Sequence, residues 1–339
     1  MLLHVTHETR YAYSPAVETA QHLAHLKPRT TPTQRLVSHA LTVSPAPAQR
    51  SESPDVYGNA RAFFALDSTH DELRVTAESV VETSPPQLSP AAARELPWDE
   101  VRERFRYAKG ARFDAAAEFV FPSHYVPRHD DFAAYARPSF APGRPLFDAA
   151  MDLTLRMHAD FVYDSGSTEI STPAIEALAQ RHGVCQDFAH IMIACLRTLG
   201  LPARYVSGYL LTQPPPGRPR LIGADASHAW VSVYIPGADG PGDWADFDPT
   251  NGRQPGEDYV ALAIGRDYSD VSPMRGVLHG GARHTLDVSV TVQPLEELRA
   301  EAAQAAQQVQ SQSQAQTQSS SQDPDLNRDA DPDPDKEPS

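Results

Sequence analysis

The chain contains two cysteines, and both lie in the stretch HGVCQDFAHIMIACLRTLG. Counting from Cys185, apolar residues recur at intervals of three and four, which predicts one buried face of a helix ending near Gly200. Cys195 belongs to that face and is interpreted as a small core residue. Cys185 begins the helix, where unpaired backbone N–H groups and the helix dipole stabilise a thiolate. About 15 Å of helix separates the two sulfurs and excludes a disulfide between them. Cys185 is therefore the candidate nucleophile.

A cysteine nucleophile needs a base, and His228 in the stretch DASHAWVSVYI is the candidate. The alternation of this stretch predicts a strand on which His228 and Trp230 share one face while the valines point into the core. The following loop returns the chain into WADFDPTNG, which predicts an antiparallel hairpin. If Tyr234 faces Trp244 across it, Asp248 becomes a diagonal neighbour of His228. Asp248 is then the group that orients the imidazole.

Three further residues are candidates for the cleft around the nucleophile. Gln186 and Asp187 directly follow Cys185. Asp187 is expected to cap the helix start or to organise local hydrogen bonds, with attraction of a substrate amine as the alternative. Trp230 either lines the cleft or packs as an ordinary strand aromatic. The backbone N–H of Cys185 is the expected donor to an oxyanion.

A metal site is the alternative interpretation of the same segment. His182, Cys185 and His190 provide a thiolate flanked by two imidazoles, which are ligand types that zinc prefers. However, His182 precedes the helix, His190 lies more than one turn beyond Cys185, and the spacing demands no fourth ligand. We therefore expect neither a metal nor a cofactor, with a zinc-dependent hydrolase as the less favoured alternative.

The sequence patterns around these residues divide the chain into four predicted regions. Residues 1–83 alternate with the period of strands and predict a small antiparallel β domain. Residues 84–144 are rich in proline and alanine and predict a connecting region with short helices. Residues 145–298 predict the catalytic domain, with a helix after Pro145 and a second sheet whose last strand is HTLDVSVTVQ. Residues 299–339 are acidic and poor in apolar side chains, which predicts disorder.

Composition limits the classes of partner. The 339-residue chain has a formal net charge of −15, which argues against nucleic acid because phosphate binding needs clustered Lys and Arg. No window approaches the roughly 18 apolar residues of a membrane span, and the first residues lack the features of a signal peptide. We expect a cytoplasmic protein that acts on a protein or peptide substrate, with its oligomeric state left open.

Several linked motifs resemble the transglutaminase-like superfamily. They are GVCQDFAH, LGLPARYVSGYL, DASHAWVSVY and FDPTNG in that order, while THETRYAYSPAVETAQHLAHLKPR resembles the opening of an associated bacterial N-terminal region. The resemblance spans residues 1–293. It implies a papain-like α+β fold, in which a helix bearing the nucleophile packs on an antiparallel sheet and a small antiparallel β domain precedes this core. It also implies a triad of Cys185, His228 and Asp248.

The resemblance implies acyl transfer through a thioester but leaves the acceptor open between an amine and water. Animal transglutaminases use an upstream tryptophan to help hold the oxyanion, whereas this chain has Phe161-Val-Tyr163 in the comparable region. Tyr163 either donates from its hydroxyl or packs as a core aromatic. The missing tryptophan slightly favours hydrolysis of a peptide or side-chain amide over amine transfer. A peptide-binding module of the same fold without turnover is the alternative class.

Overall fold

The fold is described from a computed structural model. It describes residues 1–86, 96–110, 113–212, 227–237, 242–280 and 283–300, together with 303, 304 and 307. Residues Met1–Pro294 form one compact unit and Leu295–Ser339 form a second. Residues 295–300 are helical. Most of the predicted tail, 299–339, and its expected disorder lie outside the described residues.

The N-terminal region is built from long antiparallel strands with alternating burial. One sheet contains β1 (Leu2–Val17), β3 (Gln34–Ser44), β6 (His70–Thr83) and β14 (Arg283–Pro294), in the order β14-β1-β6-β3. Another contains β2 (Thr19–Ala24), β4 (Gln49–Pro54), β5 (Ala60–Leu66) and β13 (Met274–His279), in the order β13-β2-β5-β4. Side chains of both sheets share a core that includes Val17, Phe64 and Leu73. The expected antiparallel β region is present in the structure.

The strand predicted at HTLDVSVTVQ is present as β14. Its predicted place, as the last strand of the sheet in the catalytic domain, is wrong. β14 instead runs antiparallel to β1, from the pair Leu3–Pro294 to the pair Ser14–Arg283. Val290 and Val292 are buried there and pack with Leu3 in the main core. Alternation shows that a segment is a strand with one covered face, but it does not say which strand lies beside it. The chain therefore returns to the N-terminal sheet after the catalytic sheet is complete.

The catalytic region combines helices with a third antiparallel sheet. Its strands are β9 (Ala203–Leu210), β10 (Ser227–Ile235), β11 (Asp243–Phe247) and β12 (Tyr259–Gly265), in the order β11-β10-β9-β12. A short parallel pair joins β7 (Val162–Tyr163) to β8 (His182–Gly183). The helices are α1 (Trp98–Arg104), α2 (Asp130–Ala136), α3 (Leu146–Asp160), α4 (Ala174–Gln180), α5 (Cys185–Thr198) and α6 (Tyr268–Val271), with 3-10 turns at Ala115–Val120 and Arg137–Ser139.

Helix α5 is the centre of the catalytic region. Its residues from Phe188 to Leu196 are buried, and they share one core with Val231 and Val233 of β10. A helix that is apolar on every side needs neighbours on every side, and the sheet and the other helices supply them. The core interpretation of Cys195 is confirmed, because its side chain is fully buried and burial raises the pKa of its thiol. This packing fixes the start of α5 relative to the sheet.

Candidate active site

The approach to Cys185 is a tightly constrained turn. Asp187 lies in the first turn of α5, and its Oδ2 accepts hydrogen bonds from the Val184 amide at 2.8 Å and from the Thr168 hydroxyl at 2.7 Å. A Cβ atom on Gly183 would lie 2.7 Å from the same oxygen, so this position requires glycine. Asp187 therefore caps the helix that begins at Cys185, and a carboxylate at this end also complements the helix dipole.

The hairpin places His228 against Asp248. The register assumed from the sequence is the one in the structure, since Tyr234 faces Trp244 between β10 and β11. His228 Nε2 lies 2.7 Å from Asp248 Oδ2. The His228 side chain is 8% exposed and that of Asp248 is fully buried, so little solvent competes for this hydrogen bond. A short hydrogen bond in such surroundings fixes the imidazole ring and commits Nε2 to the carboxylate.

Two residues that the sequence reasoning missed also hold Asp248. Asp248 Oδ2 accepts a hydrogen bond from the Tyr259 hydroxyl at 2.6 Å and one from Asn251 Nδ2 at 2.7 Å. Its Oδ1 accepts from the backbone amides of Thr250 and Asn251. Asn251 follows Asp248 in the FDPTNG turn, so its place in that turn is a signal that sequence could have supplied. Tyr259 comes from β12, on the far side of β9.

Gly208 explains how Tyr259 comes so near the hairpin. On β9, Gly208 pairs with His228 on one side and Ala261 on the other. A Cβ atom there would lie 2.2 Å from the Val260 carbonyl oxygen and 2.5 Å from the Trp230 ring. Glycine within a strand often marks such a close approach. The gap lets the rings of Trp230 and Tyr259 pack edge to face at 5.4 Å beside His228.

The electrostatics of the pair favour the charged forms. Burial lowers the pKa of His228, but the hydrogen bond to Asp248 and the nearby Cys185 thiol outweigh it and raise the pKa to about 10. Burial raises the pKa of Asp248, and the interactions with His228, Tyr259 and Asn251 outweigh that effect and lower it below its usual value. An imidazolium beside a carboxylate is therefore the stable state at neutral pH.

Cys185 lies on the other side of the imidazole. Its side chain is half-buried, and its Sγ lies 4.0 Å from the carbonyl oxygen of Ser227, the residue before His228. Because Nε2 is bonded to Asp248, Nδ1 is the ring nitrogen left to face the thiol. The structure thus brings Cys185, His228 and Asp248 together, although they are 20 to 63 positions apart in the sequence.

The remaining candidates occupy different surroundings. Tyr163 is 55% exposed on β7, which pairs with Gly183; burial and the charge of Cys185 raise the pKa of its phenol. Gln186 is partly exposed, and its Nε2 makes a long contact of 3.5 Å with a backbone oxygen. Trp230 is almost completely buried, and its indole N–H donates to Asp246. Tyr163 and Gln186 therefore flank Cys185, whereas Trp230 packs beneath His228.

The proposed zinc ligands are not assembled as a set. His182 is exposed and its Nδ1 lies 2.7 Å from the Gln180 carbonyl oxygen. His190 is buried, stacks on Tyr125, and its Nε2 accepts a hydrogen bond from the Tyr268 amide. In the described part of the chain, no group of three or more His, Cys, Asp or Glu side chains is arranged to hold a metal ion. The described helices also include none with the length and apolar character of a membrane span.

Comparisons with known proteins agree with this architecture. The model of the bacterial transglutaminase-like N-terminal region matches residues 3–82, and that of the transglutaminase-like superfamily matches residues 133–249. Uncharacterized proteins of Mycobacterium bovis and Mycobacterium tuberculosis are 44% identical over 295 residues, covering 86% of this chain and 92% of each relative. The chain belongs to the transglutaminase-like superfamily. A Mycobacterium leprae relative is 34% identical over 300 residues, covering 86% of this chain and 99% of its own.

A solved structure extends the comparison to the fold. A candidate cysteine protease from Cytophaga hutchinsonii superposes with a TM-score of 0.65 at 22% identity, covering 87% of this chain and 91% of its own. At that identity the likeness concerns the fold alone, which is the papain-like α+β arrangement of a transglutaminase-like core with an N-terminal β region. Membership of the superfamily supports a cysteine-based catalytic function in general terms.

Proposed function

We propose that this transglutaminase-like protein is a cysteine-dependent acyl enzyme that acts on peptide or glutamine-type amides. The proposal rests on one observation above all, the 2.7 Å hydrogen bond between His228 Nε2 and the buried Asp248 carboxylate beside Cys185 at the start of α5. In this assignment Cys185 is the nucleophile, His228 moves the proton, and Asp248 orients and stabilises the imidazolium.

The proposed reaction has two steps. The Cys185 thiolate attacks the amide carbonyl carbon, and the oxygen gains negative charge facing the first-turn amides of α5, which lack intrahelical acceptors. His228 donates its proton to the leaving nitrogen, the C–N bond breaks and a thioester remains. His228 then takes a proton from the acceptor as the acceptor attacks the thioester, the C–S bond breaks, and the thiolate and imidazolium are restored.

We propose hydrolysis as the favoured second step. An amine prevails over water at about 55 M only where the site binds the amine or excludes water. Tyr163, in the region comparable to the one that carries the tryptophan of animal transglutaminases, is 55% exposed, so water reaches its side chain beside the turn that leads to Cys185. The carboxylate of Asp187 is committed to capping α5 and is not free to attract an amine. Both observations support water as the acceptor.

Product analysis tests the choice of acceptor. The protein is incubated with a peptide library with and without a labelled primary amine, and products are identified by mass spectrometry. We expect hydrolysed peptides or deamidated glutamines as the main products, and we expect their yield to change little when the amine is added. Cys185→Ala should give no product. Amine incorporation that exceeds hydrolysis and depends on Cys185 would reverse the assignment to transfer.

The cytoplasmic location also belongs to this proposal. A catalytic thiol has to stay reduced, and the cytoplasm keeps thiols reduced. Fractionation of the source cells followed by immunodetection tests it, with recovery in the soluble cytoplasmic fraction as the expected result and recovery outside the inner membrane as the contrary one.

A further inference from the structure

A cavity of about 450 Å³ lies between the catalytic sheet and the N-terminal β region. Its volume is in the range of small-molecule sites. The lining includes Arg29 and Thr30 from the N-terminal region and Arg204, Trp244 and Asp246 from the catalytic sheet. Trp230 and Tyr259 separate the cavity from His228, and none of Cys185, His228 and Asp248 is among the lining residues. The proposed chemistry therefore does not use this cavity.

The unusual feature of the cavity is Arg204. Its Nε is buried and makes no hydrogen bond, and none of the ion pairs found among the described residues involves its guanidinium. The group stacks on Trp244, 3.9 Å from the ring centroid, which fixes its plane. Burial lowers its pKa to about 9, Asp246 opposes that shift, and the charge of Arg29 adds to it. A buried guanidinium N–H without an acceptor is costly, and no ion pair with Asp246 compensates it, which points to a missing partner.

The other charged groups indicate how much charge a partner should carry. Arg29 is anchored by its Nη1 to the Tyr57 carbonyl oxygen and the Asn59 side chain. Burial lowers the pKa of its guanidinium, and Asp55 outside the cavity only partly offsets that effect. Asp246 accepts from the Trp230 indole. The second carboxylate, that of Asp243, is exposed at the rim, where water and salt screen it. Inside the rim, the guanidinium groups of Arg204 and Arg29 face the single carboxylate of Asp246, which leaves one positive charge there. A single carboxylate balances it, whereas a phosphate dianion would exceed it.

The remaining wall is apolar. Val206, Trp230, Tyr259 and Ile264 form a separate cluster on this face of the sheet, and all four line the cavity. A pocket with apolar walls and a few placed polar groups is the usual form of a small-molecule site. We propose that this cavity binds a small organic carboxylate, with its anionic group on Arg204 and Arg29 and its apolar body against Trp230, Tyr259 and their neighbours.

Three probes with one phenyl body test the proposal on the full chain. They are 3-phenylpropionate, its neutral amide 3-phenylpropionamide, and phenethylamine. Binding of each probe is measured by saturation-transfer NMR and by tryptophan fluorescence. The carboxylate is expected to bind with a Kd on the order of 1 mM. The amide and the amine should bind at least about tenfold more weakly, because they lose the charge-assisted hydrogen bonds. Equal binding of all three probes, tighter binding of inorganic phosphate, or no saturable binding would overturn the proposal.

Variants locate the site and separate it from the catalytic proposal. Arg204→Met should weaken carboxylate binding at least about tenfold, and Arg204→Lys should weaken it less. Thr30 is exposed on the lining, so Thr30→Glu adds a repelling carboxylate with little risk to folding, while Thr69→Glu is the matched exposed control outside the cavity. Cys185→Ala should bind the probe like the unaltered protein. If Thr30→Glu leaves carboxylate binding unchanged, or if Cys185→Ala removes it, the site lies elsewhere and the proposal is wrong.

Discussion

One carboxylate oxygen of Asp248 contacts three side chains, those of His228, Tyr259 and Asn251. The hydrogen bonds from Tyr259 and Asn251 hold the carboxylate in place and so limit how the His228 imidazole can turn. Tyr259 donates at 2.6 Å and Asn251 at 2.7 Å to the oxygen that His228 engages. Losing a hydrogen bond to a charged group costs about 1.5 kcal/mol or more. In the proposed mechanism Tyr259 is therefore a positioning residue, since it acts on Cys185 through Asp248 and His228.

Tyr259→Phe should slow the alkylation of Cys185 by iodoacetamide at pH 7 by up to about tenfold, because Asp248 holds its charge and its orientation less firmly. The pH profile of alkylation should shift at the same time. Tyr107→Phe, at a position that is 93% exposed, is the control and should have no effect. A loss of thermal stability in Tyr259→Phe without any change in the alkylation rate or its pH profile would reduce Tyr259 to a packing residue.

The pH dependence of stability follows from the same pair. The pKa of His228 is raised from 6.5 to about 10 in the folded protein, so its contribution to stability is complete below pH 6.5 and is lost as pH rises toward 10. The pKa of Asp248 is lowered, so its contribution is present above about pH 3.8 and is lost as pH falls below that value.

Asp248→Asn should therefore destabilise the protein most between about pH 4 and 6.5, and progressively less as pH rises toward 10. Urea unfolding of both proteins at pH 6 and pH 9.5 measures the difference in the free energy of unfolding. A destabilisation that stays constant or grows between these two values would mean that His228 is not charged in the folded protein at pH 6.

At the scale of elements, the start of α5 depends on a glycine. The Cβ atom that Gly183→Ala adds would lie 2.7 Å from Asp187 Oδ2, and the carboxylate would have to leave the Val184 amide. Loss of such a cap costs about 1 kcal/mol, and the displaced turn also carries Cys185. The variant should lower the melting temperature and slow alkylation. Gly166→Ala, whose nearest atom would be 3.5 Å away, should do neither, and equal behaviour of the two would contradict this role of Gly183.

The sequence predicted which segments form helices and strands better than it predicted which strands lie side by side, because the first depends on local pattern and the second does not. Periodicity identified α5 and assigned Cys195 to its buried side. The Tyr234–Trp244 register was assumed for a hairpin that alternation predicted, and the structure has that register. Tyr259 was missed because it reaches Asp248 across β9, and no local pattern says which strand lies next. The roles of Cys185, His228 and Asp248 could be inferred only as a combination of motifs. Their chemistry remains a prediction.

At the scale of the whole molecule, β14 joins the C-terminal side of the catalytic region to the first strand of the chain. Val290 and Val292 of β14 belong to the main core, and β14 pairs with β1 along its whole length. Removing residues 283–339 should strip one edge from the N-terminal sheet and expose these valines, at a cost of several kcal/mol.

Removing only residues 301–339 is the matched control, because it leaves β14 and Met1–Pro294 intact. We expect the shorter deletion to leave the melting temperature of the main transition nearly unchanged and the longer one to lower it sharply or to prevent folding. Equal melting temperatures for the two deletions, measured by circular dichroism, would mean that β14 adds nothing to the stability of Met1–Pro294.

Selective alkylation of Cys185 is the sharpest test of the proposed roles of Cys185 and His228. Iodoacetamide is added at substoichiometric concentration near pH 7, and the modified residue is identified by peptide mass spectrometry, with Cys185→Ala and His228→Ala as comparisons. We expect rapid modification at Cys185 alone, slower modification in His228→Ala, and none in Cys185→Ala while its circular dichroism spectrum is unchanged. Modification at the buried Cys195, or a rate at Cys185 that does not depend on His228, would contradict these roles.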